Sequence, residues 1–148
     1  MKKILLIISC ICLTLAGRAA SNLPSVTGKV KGFGNDAVFV YTVAFSNPDL
    51  RTLDTVQARK GSFQFTNNCG EPSACVIFTR GCYRLRPNGR TAISESKQMM
   101  LFLFPGASVR IEGQLEAEGL RYTVLGDPFN EKFSQRRNHD LPDMKACY

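Results

Sequence analysis

Ala37-Val38-Phe39-Val40-Tyr41-Thr42-Val43-Ala44-Phe45 is the stretch that decides the fold class. In an extended chain successive side chains point to opposite sides, so Phe39, Tyr41, Val43 and Phe45 share one face and Val38, Val40, Thr42 and Ala44 the other. Nine residues rich in β-branched and aromatic side chains, closed off by Asn35-Asp36 and by Ser46-Asn47-Pro48-Asp49, have strand composition and strand length. Both faces are apolar. The segment is therefore expected to be a central strand covered on both sides, as in a sandwich or barrel.

The same period continues outward. Val26 to Lys31 reads as an earlier strand ending at the turn cluster Gly32-Phe33-Gly34-Asn35-Asp36. Leu53 to Ala58 and Ser62 to Thr66 read as a hairpin over Arg59-Lys60-Gly61, where Gly61 can take the positive φ such a turn needs. Ala74 to Thr79 forms another strand, interrupted at Gly81 and resumed by Tyr83-Arg84-Leu85, and residues 90 to 96 read as a mobile connection after Pro87-Asn88-Gly89. Gln98 to Phe104 is the most apolar run after residue 20, and Pro105-Gly106 ends it. Ser108 to Glu112 alternates, with Val109 and Ile111 inward, and Gly113 is expected to stop it. Tyr122 to Leu125 is the last strand. Asp127 then caps a helix with Pro128 at its first position. Phe129 and Phe133, four apart, share a face, which predicts an amphipathic helix over 128–138 packed on the sheet by its phenylalanines, and an extended tail over 140–148. The fold class expected is mainly β: an antiparallel β-sandwich or half-open barrel with one C-terminal helix, occupying residues 24–139.

The first residues follow another grammar. Lys2 and Lys3 precede an apolar run from Ile4 to Leu15, then Ala16, Gly17, Ala19 and Ala20: the layout of a secretory signal peptide over residues 1–19, cleaved after Ala19. The run falls short of the about 20 apolar residues of a transmembrane helix. Ile7-Ile8-Ser9-Cys10 offers a competing lipobox reading with Cys10 lipidated, in which case alone the chain is expected at a membrane. Removing Lys2, Lys3 and Arg18 from 19 basic residues leaves 16 against 12 acidic ones, so the net charge falls from +7 to +4. The remaining 129 residues suit one domain. The densest cationic stretch is Arg80, Arg84, Arg86 and Arg90, a candidate contact for an anion or a partner, weighed against an ordinary solvated loop. Basic residues are not interleaved with surface aromatics, since Phe39, Tyr41, Phe63 and Phe65 read as core, and no nucleic-acid partner is expected.

Four cysteines follow the leader: Cys69, Cys75, Cys82 and Cys147. Export to an oxidising compartment and the even count make them disulfide candidates. Three connectivities are open. Cys69 with Cys75 across Gly70-Glu71-Pro72, and Cys82 with Cys147 pinning the tail, is the pairing preferred here, with Cys69–Cys82 close behind. No Cys-x-x-Cys spacing supports a reactive thiol. A lone histidine, His139, is too few for zinc and is read as an exposed side chain at the helix end beside Asp140 rather than a base. Walker, Gly-x-Gly-x-x-Gly and Gly-x-Ser-x-Gly elements are absent from the sequence. No catalytic residue, metal or cofactor is expected.

Four fragments in fixed order carry a family resemblance: Thr27-Gly28-Lys29-Val30-Lys31-Gly32; Leu53-Asp54-Thr55-Val56 running into Lys60-Gly61-Ser62-Phe63-Gln64-Phe65; Phe104-Pro105-Gly106 followed by Val109 to Gly113; and Val124 to Glu131 leading into the helix. Together they resemble domain of unknown function 4369, the β-domain that precedes a thioredoxin-like domain in envelope thiol-disulfide oxidoreductases of Gram-negative bacteria. The resemblance runs from about Val26 to Asn138. It implies an exported β-domain with one helix and no catalytic residues of its own. With no Cys-x-x-Cys pair among these cysteines, the thioredoxin-like domain is not expected in this chain, and Cys69, Cys75 and Cys82 look like local additions. The function expected is a non-catalytic accessory or interaction module in the periplasm or on the outer membrane surface, with a protein partner in the cell envelope. The competing expectations are a redox protein acting through its own thiols, and a remnant of a longer thioredoxin-like oxidoreductase.

Overall fold

The computed structural model describes residues 25–117 and 119–146, with the side chains of 145 and 146 excepted. The expected leader, Cys10 and Cys147 lie outside the described residues. Ten strands run in chain order: β1 Val26–Lys31, β2 Ala37–Ala44, β3 Arg51–Gln57, β4 Ser62–Phe65, β5 Ser73–Thr79, β6 Tyr83–Leu85, β7 Thr91–Ile93, β8 Met99–Leu103, β9 Val109–Leu115 and β10 Leu120–Leu125. Helix α1 is Pro128–Ala146. One sheet has the order β10-β9-β1-β4, a second β3-β2-β5-β8, and β6 with β7 makes a small two-stranded arm. The mainly β fold with one C-terminal helix is the architecture the alternating pattern predicts. The first sheet is mixed, however, because β1 and β9 run parallel, from Val26 opposite Val109 to Lys31 opposite Gln114.

Between the two sheets lies the core: Val26, Val30, Phe63, Val109, Ile111, Leu120 and Val124 from one, Val38, Val40, Cys75, Ile77, Met99, Leu101 and Leu103 from the other. Gly28 explains the opening motif. The ring of Phe63, its cross-strand partner, lies where a Cβ would stand, 2.1 Å from the nearest ring atom. Gly61, at φ 80°, is held by its amide to the Gly34 carbonyl and by its carbonyl to the Val30 amide. That grip turns the predicted hairpin into a corner: β3 and β4 belong to different sheets, joined by a single Arg59–Ser62 bridge. Other boundaries also differ. Residues 91–93 pair with β6 instead of wandering, and β9 runs through Gly113 to Leu115 because that glycine lies close under the Arg121 carbonyl and Tyr122.

Helix α1 departs furthest from expectation. The chain stays helical through 146, past Pro142. A helical proline strips the carbonyl four residues back of its donor; here that carbonyl belongs to Asn138, and the Arg121 guanidinium donates to it at 3.3 Å. Asp127 caps the helix as predicted, its carboxylate accepting from the Asn130 amide at 2.8 Å. Phe129 and Phe133 do pack, edge-on against Phe102 at 5.0 Å, but Phe129 remains 54% exposed. The face turned into the protein is Asn130, Ser134, Arg137 and Leu141.

That polar face has a physical cause. Helix α1 covers the outer edges of β8 and β10, where unpaired amides and carbonyls would otherwise be buried without partners. Asn130 accepts from the Phe102 N–H and donates to its C=O, both at 2.7 Å. Asn138 does the same for Tyr122, at 3.2 and 2.7 Å, and the Ser134 hydroxyl accepts from the Val124 amide. Arg137 donates to the carbonyls of Leu120, Glu95, Ser96 and Gln98 at 2.6–3.1 Å and stacks over the Tyr122 ring. The Tyr122 hydroxyl in turn takes the Met100 amide at 2.8 Å and donates to its carbonyl at 2.6 Å. One helix thus substitutes for a strand along two sheet edges.

Candidate interaction surface

With α1 closing the β8–β10 side, the opposite side is open. There β3 and β4 diverge from their corner, leaving a cleft of about 720 Å³ between Leu50, Thr52 and Asp54 on one wall and Phe65, Asn67 and Cys69 on the other. The 66–72 segment is fixed: Asn67 donates to the Phe104 carbonyl at 2.8 Å and accepts from the Cys69 amide at 3.1 Å. Glu71 accepts from both the amide and the hydroxyl of Ser46, which holds its carboxyl below the usual carboxylate range.

The outer faces of the two sheets differ in chemistry. On the β10-β9-β1-β4 sheet, Thr27, Lys29, Gln64, Arg110, Glu112 and Arg121 face out, the ordinary solvated surface of an antiparallel or mixed sheet. On the β3-β2-β5-β8 sheet the outward rows are apolar except at the β3 edge. Leu53, Tyr41, Val76 and Met100 stand side by side in one, and Val43, Ala74 and Phe102 in the next, which begins with Arg51 on β3 as the third row begins with Thr55. In the third, Phe39 stacks on Phe78 at 5.4 Å. Phe45 and Leu53 are 55% and 61% exposed along the same side, while Leu50, 59% exposed, lies on the cleft side of β3. The register explains the departure from expectation: Val38 and Val40 take the core, so Phe39 and Tyr41 are half-buried on the outer face rather than in the core, and α1 shields only the Phe102 end.

The sequence-predicted site residues fall in three places. Arg80 leads into β6, Arg84 is within it, and Arg86 and Arg90 close the β6–β7 turn, the Arg86 amide donating to the Arg90 carbonyl at 2.8 Å. Arg80, Arg86 and Arg90 are exposed beside Leu85, which is 74% exposed, and Arg84 is half-buried. Cys69, Cys75 and Cys82 are free thiols in the structure. Cys75 is fully buried and burial pushes its thiol up to about 12, while half-buried Cys69 packs against the same core cluster and shares its electrostatic field. Cys82 lies beyond the far end of β5, where its sulfur accepts from the Thr79 amide and donates to the Lys97 carbonyl, and burial raises it too. Strand β5 separates it from Cys69 by roughly 20 Å of extended chain, so the Cys69–Cys82 pairing does not fit this fold. His139 is exposed on α1, bonded to Asp140 at 2.9 Å, on the side away from the cleft and in mid-helix rather than at its end. Among the described residues no three His, Cys, Asp or Glu come together as a metal site.

Residues 25–133 match the family model described as Domain of unknown function (DUF4369). The chain belongs to this family. The match takes in every strand and the first turns of α1, so the DUF4369 pattern coincides with the two-sheet unit. No curated protein and no solved structure matches the chain.

What the sequence reading missed was the outer face and the helix seam. Asn130, Ser134, Arg137 and Asn138 recur at positions i, i+4, i+7 and i+8, one helical face. A polar stripe so spaced, following a run of strands, was the available signal.

Proposed function

We propose that this DUF4369 chain is a non-catalytic interaction module of the bacterial cell envelope, exported to the periplasm or outer membrane surface, that binds a protein partner on the outer face of the β3-β2-β5-β8 sheet. The observation carrying this reading is the asymmetry of the two outer faces. Contiguous apolar surface in contact with water characteristically marks an interaction site, and here exposed Leu53 and half-buried Tyr41, Val43, Val76 and Met100 form such a patch while the outer face of the other sheet is polar. The arginine arm beside it supplies polar contacts of the kind found at interface rims. In this reading the Cys69–Cys75 pair closes as a disulfide in the oxidising compartment and stiffens the cleft wall. Comparing capture from envelope extracts by the unaltered chain, by Tyr41→Asp and by the opposite-face control Lys29→Glu tests it. The expected result is one discrete protein retained by the first and third and lost by the second. Equal recovery by all three would defeat the proposal.

A second reading, an accessory part of a thioredoxin-like thiol-disulfide oxidoreductase, is favoured by one observation: half-buried Cys69 lies on the cleft with Cys75 behind it. A partner carrying a Cys-x-x-Cys pair, trapped as a mixed disulfide with Cys69, would support it.

A further inference from the structure

The protein handles its four principal sheet edges unequally. The edges of β8 and β10 are sealed by side chains of α1 and by Tyr122, and β4 is only four residues long. Strand β3 has seven residues, pairs with β2 without a bulge from Ala37 opposite Gln57 to Val43 opposite Arg51, and contains no proline or lysine. Every residue from Arg51 to Thr55 is exposed. A long edge free of proline, lysine and bulges is a template for another strand, and the inward-pointing Asp54 restricts the register it can accept.

Which groups β3 offers follows from its bonding to β2. The Ala44 amide donates to the Leu50 carbonyl at 3.0 Å, making these residues a bonded pair in the same register. Bonded and non-bonded pairs alternate in an antiparallel ladder. Thr52, Asp54 and Val56 therefore bond to β2, and the N–H and C=O groups of Leu53 and Thr55 point away from the sheet. Consistently, the Arg51 amide turns to the Asp49 carbonyl rather than to β2.

We infer that β3 is the pairing surface for a second copy of this chain, the two β3 strands meeting antiparallel about a two-fold axis at Leu53. In that register Leu53 bonds Leu53 of the other copy through both backbone groups, and Thr55 meets Arg51. On the outer face leucine packs on leucine, covering a side chain now 61% exposed. On the inner face Asp54 meets Thr52. The register centred one residue on would set Asp54 directly against Asp54, a destabilising like-charge pair, so the inward carboxylate disfavours that register, and only the Leu53-centred one sets leucine on leucine. The apolar row Tyr41–Leu53 becomes a row running through both copies, so the inference deepens the proposed function and rests on the same face.

So few residues a side fall well below the roughly 20–30 of a standard interface, so the pairing is reversible and concentration-dependent. The test is sedimentation equilibrium of the folded chain from roughly 10 µM to 1 mM, the range spanned by weak association, with residue-resolved amide exchange. Dimer should accumulate with concentration while the Leu53 and Thr55 amides slow about tenfold and those of Thr52 and Asp54 stay equally protected throughout. Leu53→Lys, which leaves the β2-facing bonds in place, should remain monomeric and folded at every concentration. Three results overturn the inference: a monomer throughout the range, a dimer that survives Leu53→Lys, or protection of Leu53 and Thr55 that appears only on adding envelope extract. A monomer that still captures its partner through Tyr41 defeats the pairing alone; a dimer that captures nothing defeats the proposed function alone.

Discussion

Replacing Asn130 with alanine tests the helix seam at its most enclosed point. Asn130 is fully buried; its amide oxygen takes the Phe102 N–H and its amide nitrogen the Phe102 C=O, with a further bond to Asp127 at 2.9 Å. Alanine leaves both backbone groups of Phe102 without partners beneath α1. An unpaired buried polar group costs about 1–3 kcal/mol, so two cost roughly 2–6 kcal/mol. At about 3–6 °C per kcal/mol for a domain of this size, the midpoint should fall by roughly 6 °C or more. Asn130→Asp separates the two bonds, because a carboxylate still accepts from the amide but opposes the Phe102 carbonyl and Asp127. Its folded-state pKa should be raised, so its deficit is full above the raised value, shrinks as pH falls through it and is gone below the ordinary aspartate value. Thermal melts followed by circular dichroism at pH 7 and pH 4.5, with exposed Gln135→Ala as the neutral control, measure all three. An Asn130→Ala midpoint within about 2 °C of the unaltered chain would refute the seam.

Arg137 should tolerate neither Lys nor Met. Lysine keeps the charge but loses the planar fork that reaches four carbonyls, at a cost of about 3 kcal/mol, and Met strands those carbonyls and costs more, as chemical denaturation would show. In the reduced native protein, brief alkylation at pH 8 followed by mass mapping should label Cys69 ahead of Cys75 and Cys82, whose burial keeps them protonated; equal labelling would contradict the placement of Cys75. Glu71 is held below its ordinary value by Ser46, so its contribution is present above about 4.5 and lost as pH falls through the lower folded value. Protection of the Ser46 amide, taken relative to its intrinsic exchange rate at each pH, should fall across that window, and in Glu71→Gln should lose most of this pH dependence.

The strands were legible because a half-buried strand writes its burial in every second residue: Val109 and Ile111 inward, Arg110 and Glu112 outward. Where both parities are apolar the pattern is silent about which face is covered, and Phe39 and Tyr41 were accordingly misassigned to the core. The Arg59-Lys60-Gly61 turn was legible, but its role as a corner depends on the long-range grip of Gly34 and Val30 on Gly61. Helix α1 was legible at its start, through Asp127 and Pro128, and not at its end. Pro142 signals termination locally, and only the distant Arg121 offsets the lost bond. Its buried face was illegible for a related reason, since Asn130 and Arg137 look like solvent residues until the two open edges they seal are in place.

Site-specific photo-cross-linking from the outer sheet face, in the envelope of a living Gram-negative cell, tests the binding claim most directly. A photoreactive residue at Tyr41 or Met100 should yield a discrete adduct with one partner protein, and the same group at Lys29 or Arg110 on the solvated sheet should yield none. Adducts of equal yield from both faces, or from neither, would contradict the assignment of the β3-β2-β5-β8 surface as the place where this protein works.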